Sequence, residues 1–159
     1  MLAKIYINPS SYEDKVMKIS LVPLTISDRD LASISRIHSQ PSVEKYIKVS
    51  ENYFDYVTNS EGVIYYKVIA DGIVTGGIHS ETVKDTMYLS ICIDEQYRRR
   101  NIAETALKQL FAQLLPCAVK TIDVSIDEKN TPSIVLFQKL GFKQIGKEDE
   151  LNIYRLFLR

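Results

Sequence analysis

Apolar residues recur every second position along some stretches of this chain and every third or fourth along others, and the changes of period divide it into elements. Lys4 to Ile7 is expected to form a short added strand before the polar stretch NPSSYEDK, and Lys18 to Leu24 (KISLVPL) the first strand of the main domain. Leu31, Ile34 and Ile37 mark the buried side of a helix that Ser27-Asp28-Arg29-Asp30 should open as a capping box, with Asp at its last position. Pro41 starts a second short helix through Val43, Tyr46 and Ile47, and Tyr53, Phe54, Tyr56 and Val57 continue an aromatic helical segment. Then the period becomes two. Val63 to Ala70 and Ile73 to His79 read as strands joined by a tight turn at Asp71-Gly72, and a connection from Glu81 to Asp85 leads into a strand from Met87 to Ile93.

Helical spacing returns at Ile102, Ala103, Ala106, Leu107, Leu110, Phe111 and Leu114, and Pro116 closes that element. Thr121 to Ile126 is a further strand. Thr131, followed by Pro132, predicts an N-cap with proline at the first helical position, and Gly141 a C-terminal stop. Lys143 to Gly146 and Leu151 to Leu158 should pair around the acidic turn Lys147-Glu148-Asp149-Glu150. A meander followed by alternating strands and helices implies a mixed α/β sheet, with Met87–Ile93 and Thr121–Ile126 parallel across a right-handed helical crossover. At 159 residues the chain reads as one domain, with residues 1–17 as an N-terminal extension.

Composition narrows the function classes. Twenty basic and twenty acidic residues cancel, so no global field draws the chain to nucleic acid or to an anionic membrane. No apolar run approaches the roughly 20 residues of a membrane span, and MLAKIYINPSSYEDK lacks a signal-peptide core. Cys92 and Cys117 form no C-x-x-C, and the two histidines, His38 and His79, lie far apart, which gives neither a disulfide framework nor a zinc site. A reducing, cytoplasmic setting and no metal are therefore expected. Cys92, between Ile91 and Ile93, reads as a small apolar strand residue rather than a nucleophile.

Candidate chemistry concentrates in ICIDEQYRRRNIAETA, Ile91 to Ala106. A strand end is followed by Arg98, Arg99 and Arg100, then by Asn101, which tolerates positive φ, and then by an amphipathic helix start. Unpaired N–H groups of the first helical turn, the helix dipole and three guanidinium groups all favour an anion. Taken alone, the arginines read equally as a solvated loop or a basic spot for nucleic acid.

A second segment, NTPSIVLFQKLGF from Asn130 to Phe142, narrows the choice. Together the two segments resemble the GNAT superfamily of acetyl-CoA-dependent N-acyltransferases. That family's pyrophosphate motif, Arg/Gln-x-x-Gly-x-Gly/Ala, falls on Arg98, Asn101 and Ala103, and its later motif on Asn130, Ser133, Phe137, Lys139, Gly141 and Phe142. In two places the chain departs from the family: Asn101 stands for the central glycine, and Phe137 for a frequent tyrosine that protonates the departing thiolate. The resemblance covers about residues 18–159 and is weakest before Val63.

The resemblance implies a GNAT-like, mostly antiparallel sheet with flanking helices, whose central parallel strands splay apart to admit the pantetheine arm of acetyl-CoA. It implies that Arg98, Arg99, Arg100, Asn101, Ile102 and Ala103 bind pyrophosphate, that backbone of Ile91, Cys92 and Ile93 holds the acyl end, and that Asn130, Ser133 and Phe137 flank pantetheine. Many relatives carry a glutamate base where this chain has Met87 and Tyr88, so the nearest candidates are Glu81 and His79. The acceptor, a small-molecule or peptide amine, is expected over Pro41 to Val57 and Glu148 to Glu150, with Tyr46, Tyr53, Phe54 and Tyr56 as an aromatic wall. No nucleic-acid or membrane partner is expected, and the chain would act as a monomer or homodimer. A non-catalytic acyl-CoA-binding or sensing module is the competing reading, favoured by Phe137 and by the lack of a clear glutamate base. A nucleic-acid-binding domain is disfavoured by zero net charge.

Overall fold

A computed structural model describes residues 16–115 and 117–158. Seven strands, β1 (Ile19–Pro23), β2 (Val63–Ala70), β3 (Ile73–Val83), β4 (Thr86–Ile93), β5 (Thr121–Asp127), β6 (Lys143–Glu148) and β7 (Leu151–Phe157), form one sheet in the order β1-β2-β3-β4-β5-β7-β6. Every neighbouring pair is antiparallel except β4 and β5. The helices are α1 (Leu31–His38), α2 (Pro41–Glu44), α3 (Tyr53–Asn59), α4 (Ile102–Leu114) and α5 (Thr131–Lys139). The expected strand at Lys4 to Ile7 and the stop at Pro116 lie outside the described residues. No helix among the described residues is long and apolar enough to cross a membrane.

Two cores follow from the alternation of side chains across the strands. On one face Ile102, Ala106, Leu107 and Leu110 of α4 and Phe137 of α5 pack on Val68, Ile78, Met87, Leu89, Ile122 and Val124. On the other, Ile34 and Val57 meet Val63 and Tyr65, while Ile37 and Val43 meet Cys92. Helices α1 to α3 thus sit over the β2–β4 half of that face, and the contacts of α1 run to β3 and β4. The Asp71-Gly72 turn forms as expected, because both residues take positive φ, 48° and 81°, which matches the strand twist.

Three expectations are corrected. The capping box before α1 does not form: Asp30 is the N-cap but makes no side-chain cap bond. Both acidic side chains turn instead to Lys67 of β2, a buried lysine whose ammonium lies 2.9 Å from Asp28 and 2.7 Å from Asp30. Burial works to raise the pKa of Asp28, yet the bonds from Lys67, Asp30 and Thr25 outweigh it and hold it at about 2. Second, β3 does not end at His79. It runs to Val83 and turns at Lys84, with φ 57°, so Glu81 is a strand residue paired with Val63 and Tyr88. Third, the cap of α5 is Asn130 and not Thr131, because the Asn130 side-chain oxygen accepts from the Ser133 N–H at 3.4 Å.

Candidate active site

Strands β4 and β5 are paired only at Thr86–Thr121, Met87–Ile122 and Tyr88–Asp123. Beyond that last pair β4 continues along β3 as far as Ile93, and β5 continues along β7 as far as Asp127. A wedge therefore opens in mid-sheet. On the α1–α3 side a cavity of about 250 Å³ lies at its narrow end, lined by His79, Glu81, Tyr88, Leu89, Ser90, Asp123 and Ser125. Asp123 is held by Arg155 of β7 through two bonds of 2.7 and 2.8 Å, which fix the carboxylate as wall.

The chain leaving β4 builds the wide end. Asp94, wholly buried, caps a single 3₁₀ turn at Glu95–Tyr97 by accepting from the Gln96 N–H at 3.1 Å. The arginines follow, all exposed. Arg98 donates to the Ile93 carbonyl at 3.2 Å, and Arg100 lies over the Tyr97 ring at 5.4 Å. Arg99 and Asn101 both adopt left-handed backbone, φ 62° and 58°, so the loop coils tightly before α4. Asn101 makes no side-chain cap, which leaves the first N–H groups of α4 available to an anion. The one acid in that first turn, Glu104, is offset by Lys108 and by Lys139 of α5, each at 2.9 Å.

A profile of the acetyltransferase (GNAT) family matches residues 31–142. The chain belongs to that family. Solved structures of the same fold include a domain from Methanocaldococcus jannaschii DSM 2661, with a TM-score of 0.78 and 22% identity over 89% of this chain and 99% of that one. The ribosomal-protein-S18-alanine N-acetyltransferase of Escherichia coli matches at TM-score 0.68 and 20% identity, over 89% of this chain and 93% of its own. Aminoglycoside acetyltransferase AAC(6')-Ib in complex with coenzyme A and kanamycin matches at 0.74 and 14%, over 88% and 95%. At these identities the likeness is one of fold. No curated protein matches the chain in sequence.

Within this GNAT fold the anticipated residues are distributed unevenly about the wedge. Arg98 to Ala103 form the loop and helix start beyond β4, and Ile91 to Ile93 lie past the last pairing with β5, where their backbone borders the gap. The Cys92 side chain points to the α1 face, where its sulfur lies 3.7 Å from His38 Nε2 and 3.9 Å from the Tyr65 hydroxyl. Burial, opposed by the Tyr65 hydroxyl, raises its thiol to about 11, which makes it an inert neutral group. Ile102 and Phe137 are core residues, 2% and 3% exposed, and Phe137 stands edge-on to Phe142 at 5.1 Å. Asn130 and Ser133 are half-buried and bonded to each other through the cap.

His79 and Glu81 come together on the cavity wall. His79 Nδ1 is 2.7 Å from the Tyr53 hydroxyl, His79 Nε2 is 3.8 Å from Glu81 Oε2, and Tyr56 donates to that same oxygen at 2.9 Å. Burial lowers the His79 pKa and Glu81 pulls it back upward, with the balance on the low side. Of the expected aromatic wall, Tyr53 and Tyr56 stand against His79, Phe54 packs behind Tyr53 on His38 and Tyr65, and Tyr46 lies under Lys45. Glu148 is a strand residue of β6, and the β6–β7 turn is Asp149-Glu150 alone; neither lines the cavity. Ser90, Asp123 and Ser125 join the cavity lining although no motif in the sequence marks them. Their signal was the polar alternation of TIDVSID and of the second half of β4, which places them on the same face as His79.

Proposed function

We propose that this chain transfers an acetyl group from acetyl-CoA to a primary amine of a small molecule or peptide. The observation that carries the reading is the wedge between β4 and β5, with a basic, left-handed loop at one end and the His79–Glu81 pair at the other. Acetyl-CoA would supply the activated acyl carbon. The chain's own residues divide the remaining work. Exposed Arg98 to Arg100 and the open N–H groups of α4 suit a diphosphate, and Lys108 and Lys139 offset the charge of Glu104, the acid of that first turn. Ile91 to Ile93 lie past the last pairing of β4 with β5, so their backbone N–H groups that point away from β3 suit a carbonyl oxygen, an interaction worth on the order of 3 kcal/mol in other acyl-transfer sites.

An alkyl ammonium, with a pKa near ~10, must lose a proton before it can attack. Glu81 and His79 stand on the cavity wall for that task, beside Tyr88 and Asp123. The free thiols, buried Cys92 and exposed Cys117, accord with a reducing, cytoplasmic setting.

A thiol-release assay with acetyl-CoA against peptides, polyamines, aminoglycosides and amino acids tests the reading. Amine-dependent release is expected with at least one class. Tight coenzyme A binding without release for any amine would instead establish a sensing module, and no binding at all would end both readings.

A further inference from the structure

Resting on the acyl-transfer reading, we propose that Tyr53 is a positioning residue that fixes His79 in its Nε2–H tautomer and thereby leaves Glu81 as the proton acceptor of the cavity. The Tyr53 hydroxyl has one partner within hydrogen-bonding distance among the described residues, His79 Nδ1 at 2.7 Å. Its proton therefore goes to Nδ1, because the opposite arrangement would leave the O–H without an acceptor in an aromatic pocket made by His38, Phe54 and Tyr65. Burial keeps this phenol neutral and able to donate. With Nδ1 accepting, the ring proton sits on Nε2, the nitrogen that faces the Glu81 carboxylate at 3.8 Å. A proton there is favoured by the carboxylate; a lone pair would be repelled.

His79 so fixed has no lone pair left for a substrate. Glu81 does. Tyr56 and His79 both approach Oε2, which leaves Oε1 with no protein partner among the described residues, on a side chain that is 40% exposed in the cavity. In the step assigned to it, one N–H bond of the acceptor's ammonium breaks, its electron pair stays on nitrogen, and the proton passes to Oε1. Solvent later takes that proton from the carboxylic acid. The groups that face Glu81 are His79 from β3, Tyr56 from α3, Tyr88 from β4 and Asp123 from β5, the last neutralised by Arg155.

The tautomer can be read without any turnover. The chain has two histidines, so nitrogen-15 side-chain spectra of the full-length protein, assigned with His79→Gln, report His79 directly. The Nε2–H form is expected near neutral pH, and Tyr53→Phe should convert it to a mixture; an Nδ1–H form in the unsubstituted protein overturns the proposal. In the acetyl-transfer assay at neutral pH Glu81→Gln should lower kcat at least about a hundredfold. Tyr53→Phe should lower kcat by less than Glu81→Gln does, leaving KM within about twofold. A kcat of Glu81→Gln within about tenfold of the natural protein, or a Tyr53→Phe loss as large as that of Glu81→Gln, overturns the assignment of roles. Absence of turnover with every amine would end the acyl-transfer reading and, with it, the role given to Glu81, while the spectra would still decide whether Tyr53 sets the tautomer.

Discussion

Arg36 of α1 and Asp94 just past β4 are joined at 2.8 Å, a contact that ties the helix packed on β3 and β4 to the chain that leads into the arginines. Asp94 also accepts from Gln40 at 3.0 Å, so a single buried carboxylate ties residues on both sides of the α1–α2 junction to the chain leaving β4. Burial works to raise its pKa, and the bonds from Gln40, Arg36 and Gln96 reverse that and hold it below the ordinary value. Asp94→Ala deletes all of these bonds and should cost about 3 kcal/mol of stability in urea denaturation. Asp94→Asn, which keeps an acceptor, should cost less than half as much.

At Asn101 the backbone lies in the left-handed region, φ 58°. Asn101→Trp should retain the fold, with a stability loss of about 1 kcal/mol, and should weaken acetyl-CoA binding at least tenfold by filling the space before the α4 N–H groups. Asn101→Gly, which relieves the backbone, should be at least as stable as the natural protein. Calorimetric titration gives the affinities; unchanged binding by Asn101→Trp would remove the loop from the coenzyme site.

His38 is 4% exposed, and its Nε2 bonds the Tyr65 hydroxyl at 2.7 Å. Burial, with a smaller contribution from His79, depresses its pKa from 6.5 to about 4. The sign follows directly. Between those values the unfolded chain binds a proton that the folded one refuses, so the contribution is complete above 6.5 and is lost as pH falls toward 4. The loss is on the order of 3 kcal/mol. Urea denaturation across this range should show a steeper decline for the natural protein than for His38→Gln; parallel curves would contradict it.

Phe137→Tyr bears on the thiolate problem. From sequence the exchange looks tolerable and useful, because it restores a hydroxyl. The ring is 3% exposed against Phe142, however, so the added oxygen meets a packed core. A stability loss of about 1–2 kcal/mol is expected, from burying a hydroxyl without a partner. Thermal denaturation checks the cost, and an unchanged kcat would show that position 137 does not deliver a proton.

What the sequence made legible was local. Asp71-Gly72 and Asn101 declare their backbone because few residue types accept positive φ, and the long helix declares its face by spacing. The end of β3 was hidden by Ser80, a polar residue on the buried side that satisfies its hydroxyl on the Ile64 carbonyl and so breaks the apolar alternation. Nothing in the strand pattern of Val63 to Ala70 marks Lys67 as buried, because its partners lie 37 and 39 positions away in sequence. Asn130 and Thr131 are both good caps; geometry alone chose between them. The place where β4 and β5 separate has no local signature, because side-chain period carries no record of where a pairing stops.

Sheets ordinarily keep their unsatisfied amide rows at the outer rims, where bulges and charge discourage strangers. Past Tyr88 and Asp123 this sheet carries two more such rows in its interior, facing each other. A guest that settles between them is rewarded for being long, thin and amide-bearing, and a compact or flat one is not. That preference belongs to the main chain, so few substitutions other than proline can erase it.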